Sequence, residues 1–104
     1  MKMTPKKAFA IKLLATYEKG TCALTMLKEH ENELKENGFI TRNKSNQLSV
    51  NSLNATLASL CESSINNDKE NIFATKKHNG ITINEKGLTL YIINDNGLKQ
   101  LENK

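Results

Sequence analysis

The residues able to carry reaction chemistry are few and dispersed. Cys22 and Cys61 are 39 positions apart, and His30 and His78 each stand alone. No pair among them has the close spacing that holds zinc. His30 falls on a charged helical edge, where a solvated ring is expected. Glu29, Glu31 and Glu33 follow the spacing of a helix surface rather than that of paired catalytic carboxylates. There is no glycine-rich phosphate loop and no nucleophile elbow. The sequence therefore predicts no catalytic residue, no metal ligand and no cofactor, and the chain is not expected to be an enzyme.

A different chemistry is written over 49–61. Val50, Leu53, Leu57, Leu60 and Cys61 recur at helical spacing and predict a buried stripe. Ser49 or Asn51 is the expected N-cap. The remaining positions are Asn51, Ser52, Asn54, Ala55, Thr56 and Ser59, with no charge before Glu62. A solvated helix face normally carries Lys and Glu, as 22–37 does here. Asn offers a donor and an acceptor together and can pair with adenine, and Ser or Thr can do either. These six residues are the candidate base-reading set for double-stranded DNA. The plainer reading is small polar filler in an Asn-rich chain.

Charge is distributed unevenly. The net charge is +4 over 104 residues. That balance is too mild to identify a nucleic-acid partner by itself. Positive charge gathers at 1–19, at Arg42 and Lys44, and at Lys76, Lys77 and Lys86; segments 20–40 and 62–75 are net acidic. Arg42, Lys44, Lys76, Lys77, His78 and Lys86 are the candidate phosphate contacts. The alternative for each is an ordinary solubilising side chain. The acidic face of Glu29, Glu33 and Glu36 must then point away from the same surface.

The elements that position these residues can be read along the chain. Thr4-Pro5 starts a helix with Thr as cap and Pro in the first turn. Phe9, Ala10, Leu13, Leu14 and Tyr17 continue it, and Gly20 ends it near Lys19. A second helix is predicted over 22–37, with Leu24, Leu27, Glu31 and Leu34 on one face and Asn37-Gly38 as its stop. Residues 41–47 read as a loop. After the third helix, Ile72 to Lys77 can be extended, and His78-Asn79-Gly80 carries a hairpin signal. Ile81-Thr82-Ile83 alternates, Asn84 to Gly87 reads as a turn, and Leu88 to Ile93 is rich in strand formers. Leu98 to Leu101 reads as a short helix or turn. The expected architecture is α+β: a three-helix bundle, a β-hairpin or three-stranded antiparallel meander, and a short C-terminal helix. One domain spans 1–104.

No apolar run approaches the roughly 20 residues of a membrane helix. Lys12 interrupts the longest, Ala8 to Ala15, and no small-residue cleavage site follows. No membrane association and a cytoplasmic location are expected, with Cys22 and Cys61 as reduced, buried thiols. Lys and Asn each occur 14 times against a single Arg. That bias fits an AT-rich genome such as a phage, a plasmid or a low-GC bacterium.

Three helices followed by a β-ribbon resemble the winged-helix variant of helix-turn-helix. The local likeness is Tyr91-x-Ile93-x-x-x-Gly97-x-x-x-Leu101. Many winged-helix regulators close their last strand with Tyr-x-(Leu/Ile)-Thr-x-x-Gly-x-x-x-Leu. Asn94 stands here where Thr is usual, and either can cap the turn that follows. Asn37-Gly38-Phe39-Ile40 is similar to a glycine-then-aliphatic ending of the same superfamily, although there it follows the recognition helix. The resemblance implies that helix 49–61 enters the major groove while the hairpin tip touches backbone or minor groove. The expected function is sequence-specific DNA binding by a small transcriptional regulator, with a homodimer formed through Ala8–Tyr17 or Leu98–Leu101. The alternative is a protein-interaction module on the same scaffold, such as a phage protein that inhibits a host protein.

Overall fold

The computed structural model describes residues 4–17, 19–64, 67–77 and 90–102. Helix α1 spans Pro5–Ala15, and the Thr4 side chain caps it by accepting from the Lys7 backbone N–H at 3.2 Å. It buries Ala10, Ile11, Leu13 and Leu14. The helix stops short of the expected Lys19. The Thr16 hydroxyl donates to the Leu13 carbonyl at 2.6 Å, and Tyr17 N–H donates to Leu14 at 3.0 Å. These shorter-range bonds satisfy the last carbonyls and tighten the helix end. Gly20 then turns the chain with φ of 91°, a region that a side chain disfavours.

The single helix expected over 22–37 is three elements. Thr21–Cys22 form strand β1, so Cys22 is not helical. Helix α2 spans Ala23–Glu29 and α3 spans Glu31–Glu36. The break is His30, with φ −129° and ψ 30°. Its ring lies 3.2 Å from the Tyr17 hydroxyl and 3.1 Å from Glu33, so the kink is met by one side chain distant in sequence and one a helical turn ahead. The apolar spacing runs through the break unchanged, because Met26, Leu27 and Leu34 are all buried on the same side. Asn37-Gly38 is the stop it was expected to be. Gly38 has φ of 87°, and Phe39 N–H donates to Leu34 at 2.9 Å.

Helix α4 spans Asn51–Ser59. Neither expected residue caps it. Val50 holds the N-cap position without a side-chain bond. Ser49 N–H donates instead to the Thr41 carbonyl at 2.9 Å, which ties it to the preceding turn. Leu53, Leu57, Leu60 and Cys61 are buried as the spacing predicts, and Val50 packs against them.

A 3₁₀ turn at Lys69–Asn71 leads into β2, Ala74–Lys77, which pairs antiparallel with β3, Leu90–Ile93. The sheet order is β1-β3-β2, with Tyr91 opposite both Thr21 and Lys76. The third described strand is therefore supplied from between α1 and α2, which is not a meander. The expected turn at 78–80, strand at 81–83 and turn at 84–87 lie outside the described residues. Helix α5 spans Asp95–Glu102, and Asn94 caps it by accepting from Gly97 N–H at 2.9 Å.

The architecture is α+β: among the described residues, five α-helices and one three-stranded antiparallel sheet. The aromatics Phe39, Phe73 and Tyr91 are buried, while Phe9 is partly buried against the same cluster. Both cysteines are free; Cys61 is buried, but Cys22 is only half-buried. Among the described residues no helix is long and apolar enough to cross a membrane.

The terminal motif has a packing reason. A Cβ on Gly97 would lie 2.4 Å from the Phe73 carbonyl oxygen and 2.6 Å from Ile93 Cγ1. Gly97 thus lets α5 close onto the sheet. Gly97→Ala is expected to destabilise the fold by about 1–3 kcal/mol through overpacking. Urea unfolding followed by circular dichroism measures this, and unchanged stability would show that α5 can shift at no cost.

Candidate functional site

Helix α4 has three distinct sides. Leu53 and Leu57 enter the core. Successive residues turn about 100°, so Asn51, Ala55 and Ser59 point broadly outward, with Asn54 and Thr56 on opposite flanks. Asn51 and Ala55 are exposed, and Ser52, Asn54, Thr56 and Ser59 are half-buried. The outward face is uncharged.

The polar side chains of α4 are not equally available. Asn54 Oδ1 accepts from the Tyr91 hydroxyl at 2.8 Å, which fastens the helix to the central strand. The Thr56 hydroxyl donates to the Ser52 carbonyl at 3.1 Å, and the Ser59 hydroxyl donates to the Thr56 carbonyl at 2.6 Å. Asn51 makes no side-chain hydrogen bond among the described residues.

The segment ahead of α4 is an organised turn rather than a loose loop. Arg42 and Leu48 form an antiparallel bridge. Asn43 Oδ1 accepts from Ser45 N–H at 2.9 Å and from Gln47 N–H at 3.0 Å. Asn46 takes a left-handed φ of 62°, a region that Asn tolerates. Lys44 is exposed within this turn.

Arg42 is engaged. Its Nε donates to Glu31 Oε2 at 2.7 Å and its Nη2 to Glu31 Oε1 at 3.1 Å. Its Nη1 donates to the Asn46 carbonyl at 2.8 Å. The hydrogen bond to Arg42 holds the Glu31 carboxyl below its ordinary value, and Arg42 itself is raised. Lys35 lies 3.7 Å from the same carboxylate.

Glu29 and Glu33 turn elsewhere. The Tyr17 hydroxyl donates to Glu29 at 2.5 Å, and the Glu33 carboxylate lies against His30. Glu33 follows Glu31 by two positions, about 200° around α3. Burial, then the hydrogen bond and charge of Glu29, push the Tyr17 phenol up to about 12.

Of the remaining candidates, Lys76 and Lys77 lie on β2. Lys76 stands opposite Tyr91 and is exposed. His78 and Lys86 lie outside the described residues. The structure therefore brings Arg42 and Lys44 together in the turn before α4 and places Lys76 on the sheet opposite Tyr91. No cluster of His, Cys, Asp or Glu that could hold a metal ion occurs among the described residues. A separate groove of about 310 Å³ opens between α1 and α5, lined by Pro5, Ala8, Phe9, Lys12, Gln100 and Leu101 among others.

Sequence spacing does not reveal the Arg42–Glu31 pair, the Tyr17–His30 contact or the Tyr91–Asn54 bond. Their partners are 11, 13 and 37 positions apart. No family model, no curated protein and no solved structure matches the chain.

Burial, with a contribution from Cys61, pushes the Tyr91 phenol up to about 12. Burial pushes the Cys61 thiol up to about 11, opposed in part by Lys76. Both groups ionise more readily in the unfolded chain, near their ordinary values of 10.0 and 9.0. The stability they add is whole below the unfolded values and is lost as pH rises through the folded ones. The urea midpoint is expected to fall between about pH 9 and pH 12, with Tyr91→Phe flattening the upper part of that fall. A variant whose midpoint tracks wild type in parallel over that range would show that Tyr91 does not resist ionisation.

Proposed function

We propose that the chain is a winged-helix domain that binds double-stranded DNA as a small transcriptional regulator. The observation that carries this reading is helix α4: its outward face is uncharged and polar, and the exposed Lys44 stands in the turn that precedes it. An α-helix with its side chains is about 10–12 Å across, which the major groove, about 12 Å wide, admits. The exposed cations Lys44, in the turn before α4, and Lys76, on β2, are then suited to phosphate contacts. Asn51 is the residue best suited to read a base edge, because it is exposed and its amide is uncommitted among the described residues.

The order of elements supports the same reading. α4 precedes a two-strand ribbon, Tyr91 and Gly97 are buried, and Ile93 and Leu101 pack against the core. Glu29, at the end of α2, is bonded to Tyr17, and Glu33, on α3, lies against His30; neither is paired with Arg42. That arrangement keeps those two acids from the proposed contact surface. Paired binding through a second copy fits a protein of this size, with Leu98, 45% exposed on α5, as the contact.

A second reading, a protein-interaction module, is favoured by one observation. Ile40 is 67% exposed beside the turn that leads to α4. An apolar side chain there suits a protein partner better than a phosphate backbone.

Binding to random-sequence and genomic DNA fragments across a salt series distinguishes the two. Wild type is expected to bind with an affinity that falls steeply with salt. Lys44→Ala and Lys76→Ala are each expected to weaken all sequences alike and to lower the log–log salt slope by about 0.9. Asn51→Ala is expected to lose about 1–3 kcal/mol of discrimination at one base step. A folded wild type that binds no DNA at low salt would sink the DNA reading in favour of a protein partner.

A further inference from the structure

The Arg42–Glu31 contact has the two-point geometry that a guanidinium also uses on phosphate oxygens. Three features make the contact exchangeable. The pair lies at the surface, with side chains 37% and 22% exposed, so water and other anions can reach it. Glu31 has a second cation, Lys35 at 3.7 Å, so its carboxylate stays paired when Arg42 leaves. Arg42 also bridges Leu48, three residues before α4 begins, so a released guanidinium remains beside the N-terminal end of that helix.

We propose that Glu31 holds the place of a DNA backbone phosphate: it keeps Arg42 occupied in the free protein and gives it up to a phosphate on binding. This rests on the DNA reading and assigns Glu31 a regulatory role in it. Arg42 is then a phosphate contact held in reserve, and Glu31 sets the threshold at which DNA gains it. The expected consequence is discrimination against weak polyanions, which cannot displace a two-point carboxylate contact.

The test is a double-mutant cycle on DNA affinity at fixed salt, with folding checked by circular dichroism. Glu31→Gln is expected to tighten binding by about 2- to 5-fold, the range in which exposed ion pairs act. Glu31→Ala, which also removes the acceptor, should tighten it at least as much. Arg42→Ala is expected to weaken binding and lower the salt slope by about 0.9. In the Arg42→Ala background, Glu31→Gln should change little. An equal gain in both backgrounds would overturn the proposal, since it would reflect only the removal of a negative charge. DNA binding by wild type that Glu31→Gln leaves unchanged would overturn it too, with the DNA reading intact. No binding by any folded variant would remove the DNA reading, and the proposal with it.

Discussion

The structure turns on Tyr91. Its strand is the centre of the sheet, paired with β1 through Thr21 and with β2 through Lys76. Its ring is buried in the core that α1, α2 and α4 share. A buried phenol needs a partner for its hydroxyl, because an unmade hydrogen bond in the interior is costly. That partner is Asn54 on α4. One side chain therefore joins the sheet, the core and the helix with the candidate binding face. Apolar burial of Leu53, Leu57 and Leu60 holds α4 on the core, and this contact adds a specific polar tie to the ribbon.

Electrostatics divides the acidic helices in two. Glu31 turns toward Arg42, whereas Glu29 and Glu33 turn toward Tyr17 and His30. The division comes from the helical rotation between neighbouring residues, together with the break at His30. Glu29, Glu31 and Glu33 each have a proton donor or a cation beside them. The turn ahead of α4 is rigid for a related reason. Asn43 and Arg42 satisfy its backbone groups from their own side chains, so Lys44 is carried on an ordered support.

Close approach is the second constraint. Gly97 lets α5 rest on the Phe73 carbonyl and on Ile93, and Gly20 lets the chain pass against Ile92 and Tyr91. With both glycines in place, β1 can reach the sheet edge and α5 can close the other side. A groove between α1 and α5 remains where that closure is incomplete.

The sequence by itself determined the α+β class, the buried stripe of α4, the cap at Thr4, the stop at Asn37-Gly38 and the cap at Asn94. Each is encoded within one or two turns of chain, where spacing and backbone preference act directly. It also marked the uncharged face that includes Asn51 and Ala55, because that pattern lies on a single helix. Tertiary structure alone decided the break at His30, the strand at Thr21–Cys22, the bonding of Asn54 to Tyr91 and the pairing of Arg42 with Glu31. Those features depend on partners brought together from distant parts of the chain. Local periodicity passes through them unchanged, because it records which side of an element is apolar and not which neighbour will meet it.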